Sequence, residues 1–147
     1  MNELDDLYQE MILGHARSPR NFGTLKPCDR SANGHNPLCG DRIAVYLRMN
    51  GRAVSEIAFD GAGCAICTAS ASLMTDAVKG LEREAIDRVF ESVHNLATGK
   101  STDGGDLGKL AVFSGVSAFP MRVKCATLPW HTLQAALDSN ATPVTTE

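Results

Sequence analysis

The stretch Ile43-Ala44-Val45-Tyr46-Leu47-Arg48-Met49-Asn50-Gly51-Arg52-Ala53-Val54-Ser55-Glu56-Ile57-Ala58-Phe59-Asp60-Gly61-Ala62-Gly63-Cys64 decides the fold. Ile43, Val45, Leu47 and Met49 point one way while Arg42, Tyr46 and Arg48 point the other, the period of a half-buried strand. Asn50-Gly51 is the strongest short signal for a tight hairpin turn, because both positions tolerate a left-handed backbone. Val54 to Phe59 returns as a second strand with Ile57 and Phe59 on one face. Gly61-Ala62-Gly63 ends it, and a helix is predicted from about Cys64 to Val78, with Ile66, Ala69, Leu73 and Ala77 along one stripe and Gly80 as its stop. Its small residues, Ala65, Ala69, Ser70, Ala71 and Ser72, permit close packing.

Working outward, Leu4, Leu7, Tyr8, Met11, Ile12 and His15 lie on one face of a first helix, capped by Asn2 and broken by Ser18 to Gly23. Residues 24–41 are turn-rich, and Asn33-Gly34-His35-Asn36-Pro37 resists regular structure. Downstream, the pattern predicts a helix from Glu82 to Ala97, a loop from Gly99 to Gly105, a short helix from Leu107 to Phe113 and a last helix from Leu128 to Leu137. Ala141 to Glu147 reads as a frayed tail. Two central strands flanked by helices give an α+β class.

A chain of 147 residues suits one domain, and 44% apolar with 21% charged residues is ordinary for a globular protein. A net charge of −3 argues against general nucleic-acid binding. No apolar run is long enough to span a bilayer, and the acidic start Met1-Asn2-Glu3-Leu4-Asp5-Asp6 lacks the features of a secretion signal. The expectation is a soluble cytoplasmic protein without membrane or nucleic-acid partners. Its five cysteines are an odd number, so a complete disulfide framework is excluded. In a reducing compartment, thiols more often bind metal or react.

Cys39 and Asp41 stand two residues apart before a strand, on one face if that segment is extended. Cys64 sits where a glycine-rich turn meets a helix, a position that favours a thiolate. Cys125, beside Lys124, is read near the start of the last helix, where the same argument holds. Together Cys39, Asp41, Cys64 and Cys125 supply enough ligands for a closed tetrahedral site, and such sulfur-rich ligation suits zinc or iron–sulfur chemistry over magnesium or calcium. Each thiol taken singly is more often a packed side chain than a ligand; the set of four is harder to dismiss. Cys64-Ala65-Ile66-Cys67 has the Cys-x-x-Cys spacing of a redox pair, but no parallel βαβ start and no tryptophan before Cys64 accompany it. His35 lies close enough to Cys39 in sequence to approach the site, His15 belongs to the edge of the core, and Cys28 is a bystander.

These residues resemble a known family. Gly34-His35-Asn36-Pro37-Leu38-Cys39-Gly40-Asp41, then Gly61-Ala62-Gly63-Cys64-Ala65-Ile66 with Ala69-Ser70-Ala71-Ser72, then Phe119-Pro120-Met121-Arg122-Val123-Lys124-Cys125-Ala126 are similar, in that order, to the SufU-type branch of the IscU/SufU iron–sulfur assembly proteins. The resemblance implies one domain over residues 1–147, with a core of about 4–138 and a flexible tail over 139–147. It implies a small, mostly antiparallel sheet packed against several helices. It implies that Cys39, Asp41, Cys64 and Cys125 bind zinc, or alternatively iron in a [2Fe–2S] cluster. It makes Cys39 the acceptor of persulfide sulfur from a SufS-like, pyridoxal-phosphate cysteine desulfurase, with Suf-type assembly proteins or apo iron–sulfur proteins downstream. In the alternative, the same residues are a scaffold on which a cluster is built. Arg122 and Lys124 stand as auxiliary groups, with His35 and Cys67. The histidine and the Leu-Pro-Pro-Val-Lys segment that precede the last cysteine in the IscU branch are replaced here by Lys124 and Ser117-Ala118-Phe119-Pro120-Met121-Arg122-Val123, which removes the basis for a dedicated Hsp70-type chaperone partner. Cys67 occupies a position where a serine or another small residue is expected.

Overall fold

Strands β2 (Asp41–Asn50) and β3 (Ala53–Ala62) form the predicted antiparallel hairpin in the computed structural model, which describes residues 3–100, 105–139 and 144–145. Ile43, Val45 and Leu47 of β2 and Val54, Ile57 and Phe59 of β3 are buried, so the predicted alternation holds. On the other face Tyr46 Oη donates to Asp60 Oδ2 at 3.1 Å and Arg48 pairs with Glu56. A register shift between Arg48 and Met49 leaves Met49 only half-buried.

The turn-rich reading fails over residues 30–36. Here the chain forms β1 (Arg30–Asn36), antiparallel to β2. Its inward side is Ala32, Gly34 and Asn36. A Cβ at Gly34 would lie 2.1 Å from Thr132 Oγ1 and 3.1 Å from Leu128 Cδ1, so glycine is what lets a helix lie across this strand. Packing overrides the poor strand propensity of the segment. Within the expected tail, Val144–Thr145 form β4, parallel to β1, and the sheet order is β3-β2-β1-β4. Residues 140–143 and 146–147 lie outside the described residues.

Helix α1 (Glu3–Arg17) agrees with its prediction; the proposed Asn2 cap lies outside the described residues. His15 Nδ1 meets Ser72 Oγ at 2.7 Å, the expected place at the core edge. Helix α2 (Ala65–Val78) begins directly after Cys64 and buries Ala69, Ser70, Ala71 and Ser72, and its small side chains let α1 and a later helix approach it. Helix α3 (Arg83–Thr98) ends on Gly99 in the left-handed region, φ 81°. In place of the short helix over 107–113 there is a 3-10 segment, Gly105–Val116, interrupted at Gly108 (φ 58°). Residues 101–104 of the expected loop are outside the described residues.

The largest difference is the last helix. α4 spans Pro120–Leu137, well before the predicted start at Leu128. Pro120 occupies the opening turn, where a missing N–H costs nothing. Pro129, which reads as a second helix opening, is inside α4 and has no N–H to give to the Cys125 carbonyl. Burial of Leu128, Trp130, Leu133 and Ala136 holds the helix across it. α4 packs on β1, β2 and α2, and the core lies between this layer and the inner face of the sheet.

Candidate metal centre

Asp41 opens β2 and is fully buried. A buried carboxylate must be paired. Its Oδ1 accepts the Cys64 N–H at 2.8 Å, and its Oδ2 accepts from Asn36 Nδ2 at 3.3 Å. The backbone around it is shaped for this. Gly40, at φ +71°, turns the chain between Cys39 and Asp41. A Cβ on Gly63 would come within 2.9 Å of Asp41 Oδ1. Cys39 and Asp41 therefore do not share the face of one extended strand. Cys39 is exposed in the turn joining β1 to β2, and the turn itself brings it back over the carboxylate.

Cys125 is also displaced from its expected position. It lies in the second turn of α4, fully buried, rather than at a helix start. Its Sγ is 3.4 Å from Cys39 Sγ. Ligand atoms of Cys39, Asp41 and Cys125 all lie within 4.8 Å of one another. Cys64 caps α2, and its Sγ is 3.9 Å from Asp41 Oδ2 and accepts the Cys67 N–H at 3.4 Å. A hydrogen bond with Cys125, aided by the Cys67 N–H, holds the Cys64 thiol well below its ordinary range against the opposing effect of burial. The same bond, with burial, pushes Cys125 up. The expected activation of Cys125 by a helix N-terminus is thus overturned: the helix begins too far upstream, and its sulfur is the donor of the pair.

Of the four residues expected from the resemblance, Cys39, Asp41 and Cys125 come together as one close group, and Cys64 joins it through its contacts with Asp41. Three thiolates and a carboxylate would concentrate negative charge in a largely buried place; without a metal a proton held on Cys125 relieves it, and a bound cation would take that proton's place. Sulfur-rich ligation with one oxygen fits zinc, which takes thiolates and carboxylates in a tetrahedral set.

The auxiliary residues do not join them. Register pairs Asn36 with Asp41 and His35 with Arg42, so His35 lies on the opposite face of the sheet from the site. Arg122 is exposed, and Lys124 lines a groove with His131, Gln134 and Asp138; among the described residues no hydrogen bond or ion pair ties either to the four ligands. Cys67 is buried in the apolar core, and burial raises its thiol well above the ordinary range. Cys28 is exposed and apart from the site. His94 and His131 meet Phe90 in a cluster of rings with centroids 5.3 to 5.9 Å apart on α3 and α4.

Asn36 is the residue that sequence reasoning missed. It is fully buried, and its Nδ2 reaches both Asp41 Oδ2 and Cys125 Sγ, the latter at 3.7 Å. Its Oδ1 accepts the Leu38 N–H at 3.3 Å, which shapes the turn carrying Cys39. One amide side chain thus braces three of the ligands. The signal lay in strand pairing, since Asn36 stands opposite Asp41, and that pairing is invisible until β1 is recognised.

The sequence pattern of the NifU-like N-terminal domain matches residues 7–126. The chain belongs to this family. Among NifU-like relatives, the zinc-dependent sulfurtransferase SufU of Bacillus subtilis (strain 168) is 41% identical over 132 residues, 89% of each chain. The iron–sulfur cluster assembly scaffold protein IscU of Thermotoga maritima is 36% identical over 137 residues, 93% of this chain and 96% of that one. A solved structure from Fervidobacterium islandicum AW-1, described as a candidate cluster assembly scaffold for the SUF system, superposes with a TM-score of 0.82 at 32% identity, covering 87% of this chain and 94% of that one. The NifU-like fold expected from the sequence is therefore the one observed. Among the described residues no helix is long and apolar enough to cross a membrane.

Proposed function

We propose that this NifU-like domain serves iron–sulfur cluster assembly as a zinc-dependent acceptor of persulfide sulfur, with Cys39 as the accepting residue. One observation carries the reading. Cys39 alone of the site's thiols is exposed, while its sulfur touches a buried group of ligands. The Bacillus relative is named a zinc-dependent sulfurtransferase, which agrees with this reading.

Cys39, Asp41, Cys64 and Cys125 would hold zinc, which when bound keeps thiols deprotonated and supplies no redox chemistry of its own. The donor is a pyridoxal-phosphate cysteine desulfurase carrying a cysteine persulfide in the cytoplasm. The Cys39 thiolate attacks the outer sulfur of that persulfide. A new S–S bond forms on Cys39, the donor's S–S bond breaks, and the donor cysteine leaves as a thiolate. Asn36 and Gly40 fix the turn from which Cys39 reaches outward. Leu38, Phe119 and Met121 are exposed on the segments that carry Cys39 and Cys125, and apolar side chains beside a reactive sulfur suit a protein donor.

The test is transfer from a bacterial cysteine desulfurase supplied with cysteine, read by mass spectrometry of the peptide containing Cys39. The wild-type peptide should gain the mass of one sulfur atom, and Cys39→Ala should abolish transfer to the protein. Undiminished transfer in that variant would overturn the assignment. The Thermotoga relative, named as a scaffold, keeps a second reading in view. Anaerobic reconstitution with iron and sulfide separates them. A stable visible chromophore, passed intact to an apo acceptor, would favour the scaffold.

A further inference from the structure

Three ligand thiols cannot all pair with one another. Cys125 meets both Cys39, with sulfurs 3.4 Å apart, and Cys64, and can join only one of them if the metal is lost; Cys39 is the exposed partner that an oxidant reaches first. Cys64 is then the odd thiol, and an unpartnered thiol oxidises through sulfenic to irreversible sulfinic acid. Cys67 makes the number even. It follows Cys64 by three residues in the first turn of α2, and its N–H already points at Cys64 Sγ at 3.4 Å. Residues three apart on a helix have Cβ atoms about 5–6 Å apart, slightly beyond the usual disulfide span. The remaining closure falls on Cys64, whose backbone is not held in the helix. Cys64 is the cap, outside the helix with an extended backbone (φ −68°, ψ 167°), and Gly63 precedes it. The Cys67 thiol makes no hydrogen bond among the described residues, and it sits in the core beside the site.

We propose that Cys64 and Cys67 form a protective redox pair that closes to a disulfide when metal-free protein meets peroxide. The Cys64 thiolate attacks a peroxide oxygen. The O–O bond breaks, hydroxide leaves to become water, and Cys64 becomes a sulfenic acid. The Cys67 sulfur then attacks the Cys64 sulfur. The S–O bond breaks, the S–S bond forms, and the departing hydroxide takes the Cys67 proton as a second water. Two thiols are oxidised and one peroxide is reduced. A dithiol reductant reopens the pair and returns Cys64 to the site. This pair rests on the reading of Cys64 as a metal ligand.

The full chain, freed of metal by chelation, is treated with hydrogen peroxide, alkylated and peptide-mapped, and a second portion is reduced with dithiothreitol and titrated with zinc. Wild-type protein should show a 64–67 disulfide and recover nearly all its zinc binding. Cys67→Ser should show Cys64 as sulfinic or sulfonic acid and lose most of it. Cys67→Ala, which keeps the buried position apolar, gives the same contrast if the serine variant folds poorly. Free Cys67 in the oxidised wild type, or equal recovery in wild type and both variants, would overturn the proposal. A disulfide that maps to 64–67 while Cys64→Ser keeps its zinc would instead overturn Cys64 as a ligand, so the two failures are distinguishable.

Discussion

Cys64 and Cys125 reach the same site from two helices in opposite ways. Cys64 caps α2 at the end of a glycine turn, half-buried, and its own backbone N–H binds Asp41. Cys125 lies inside α4, fully buried, and no cap or turn fixes it. Its position depends on how α4 docks. Trp130 Nε1 donates to Ser70 Oγ at 3.1 Å, and Ser70 Oγ donates to the Ala126 carbonyl at 2.5 Å, clasping α2 to α4 one residue beyond Cys125. One ligand is placed by local backbone, the other by packing of the whole helix. That division explains why the local setting of Cys64 is legible in sequence and the place of Cys125 within its helix is not.

The contrast breaks most visibly at Trp130. Trp130→Ala should cost about 3–5 kcal/mol in urea unfolding of metal-free protein, because it removes a fully buried ring and the clasp together. A loss below about 1 kcal/mol would place Cys125 by something other than this docking. Asn36→Ala comes next. It strips a buried donor from Asp41 and Cys125, which should cost about 1–3 kcal/mol and weaken zinc binding about 10- to 100-fold in a chelator competition. Unchanged zinc affinity would make Asn36 a packing residue. On the local side, Gly63→Ala should push on Asp41 Oδ1 and cost about 1–3 kcal/mol with faster zinc release. Gly115→Ala, which meets open space, should change stability by no more than about 0.5 kcal/mol.

The same division runs through the whole chain. The β2–β3 hairpin and α2 were legible because alternation, Asn50-Gly51 and Gly61-Ala62-Gly63 are local signals. Strand β1 was not, because Gly34 is there to admit Thr132 and Leu128 from a helix nearly a hundred residues away. The start of α4 is hidden because Pro129 interrupts the helical pattern locally, and only burial carries the helix across it. Motif and spacing single out Cys39, Asp41, Cys64 and Cys125 as candidates, whereas the brace from Asn36 depends on a strand pairing that the turn-like composition hides.

X-ray absorption at the zinc edge of the zinc-loaded protein bears most directly on the assignment of Cys39, Asp41, Cys64 and Cys125. We expect three sulfur ligands at about 2.3 Å and one oxygen at about 2.0–2.2 Å, with the sulfur number falling by one in Cys64→Ser. Four sulfur ligands in the wild type, or a sulfur number unchanged in Cys64→Ser, would contradict it.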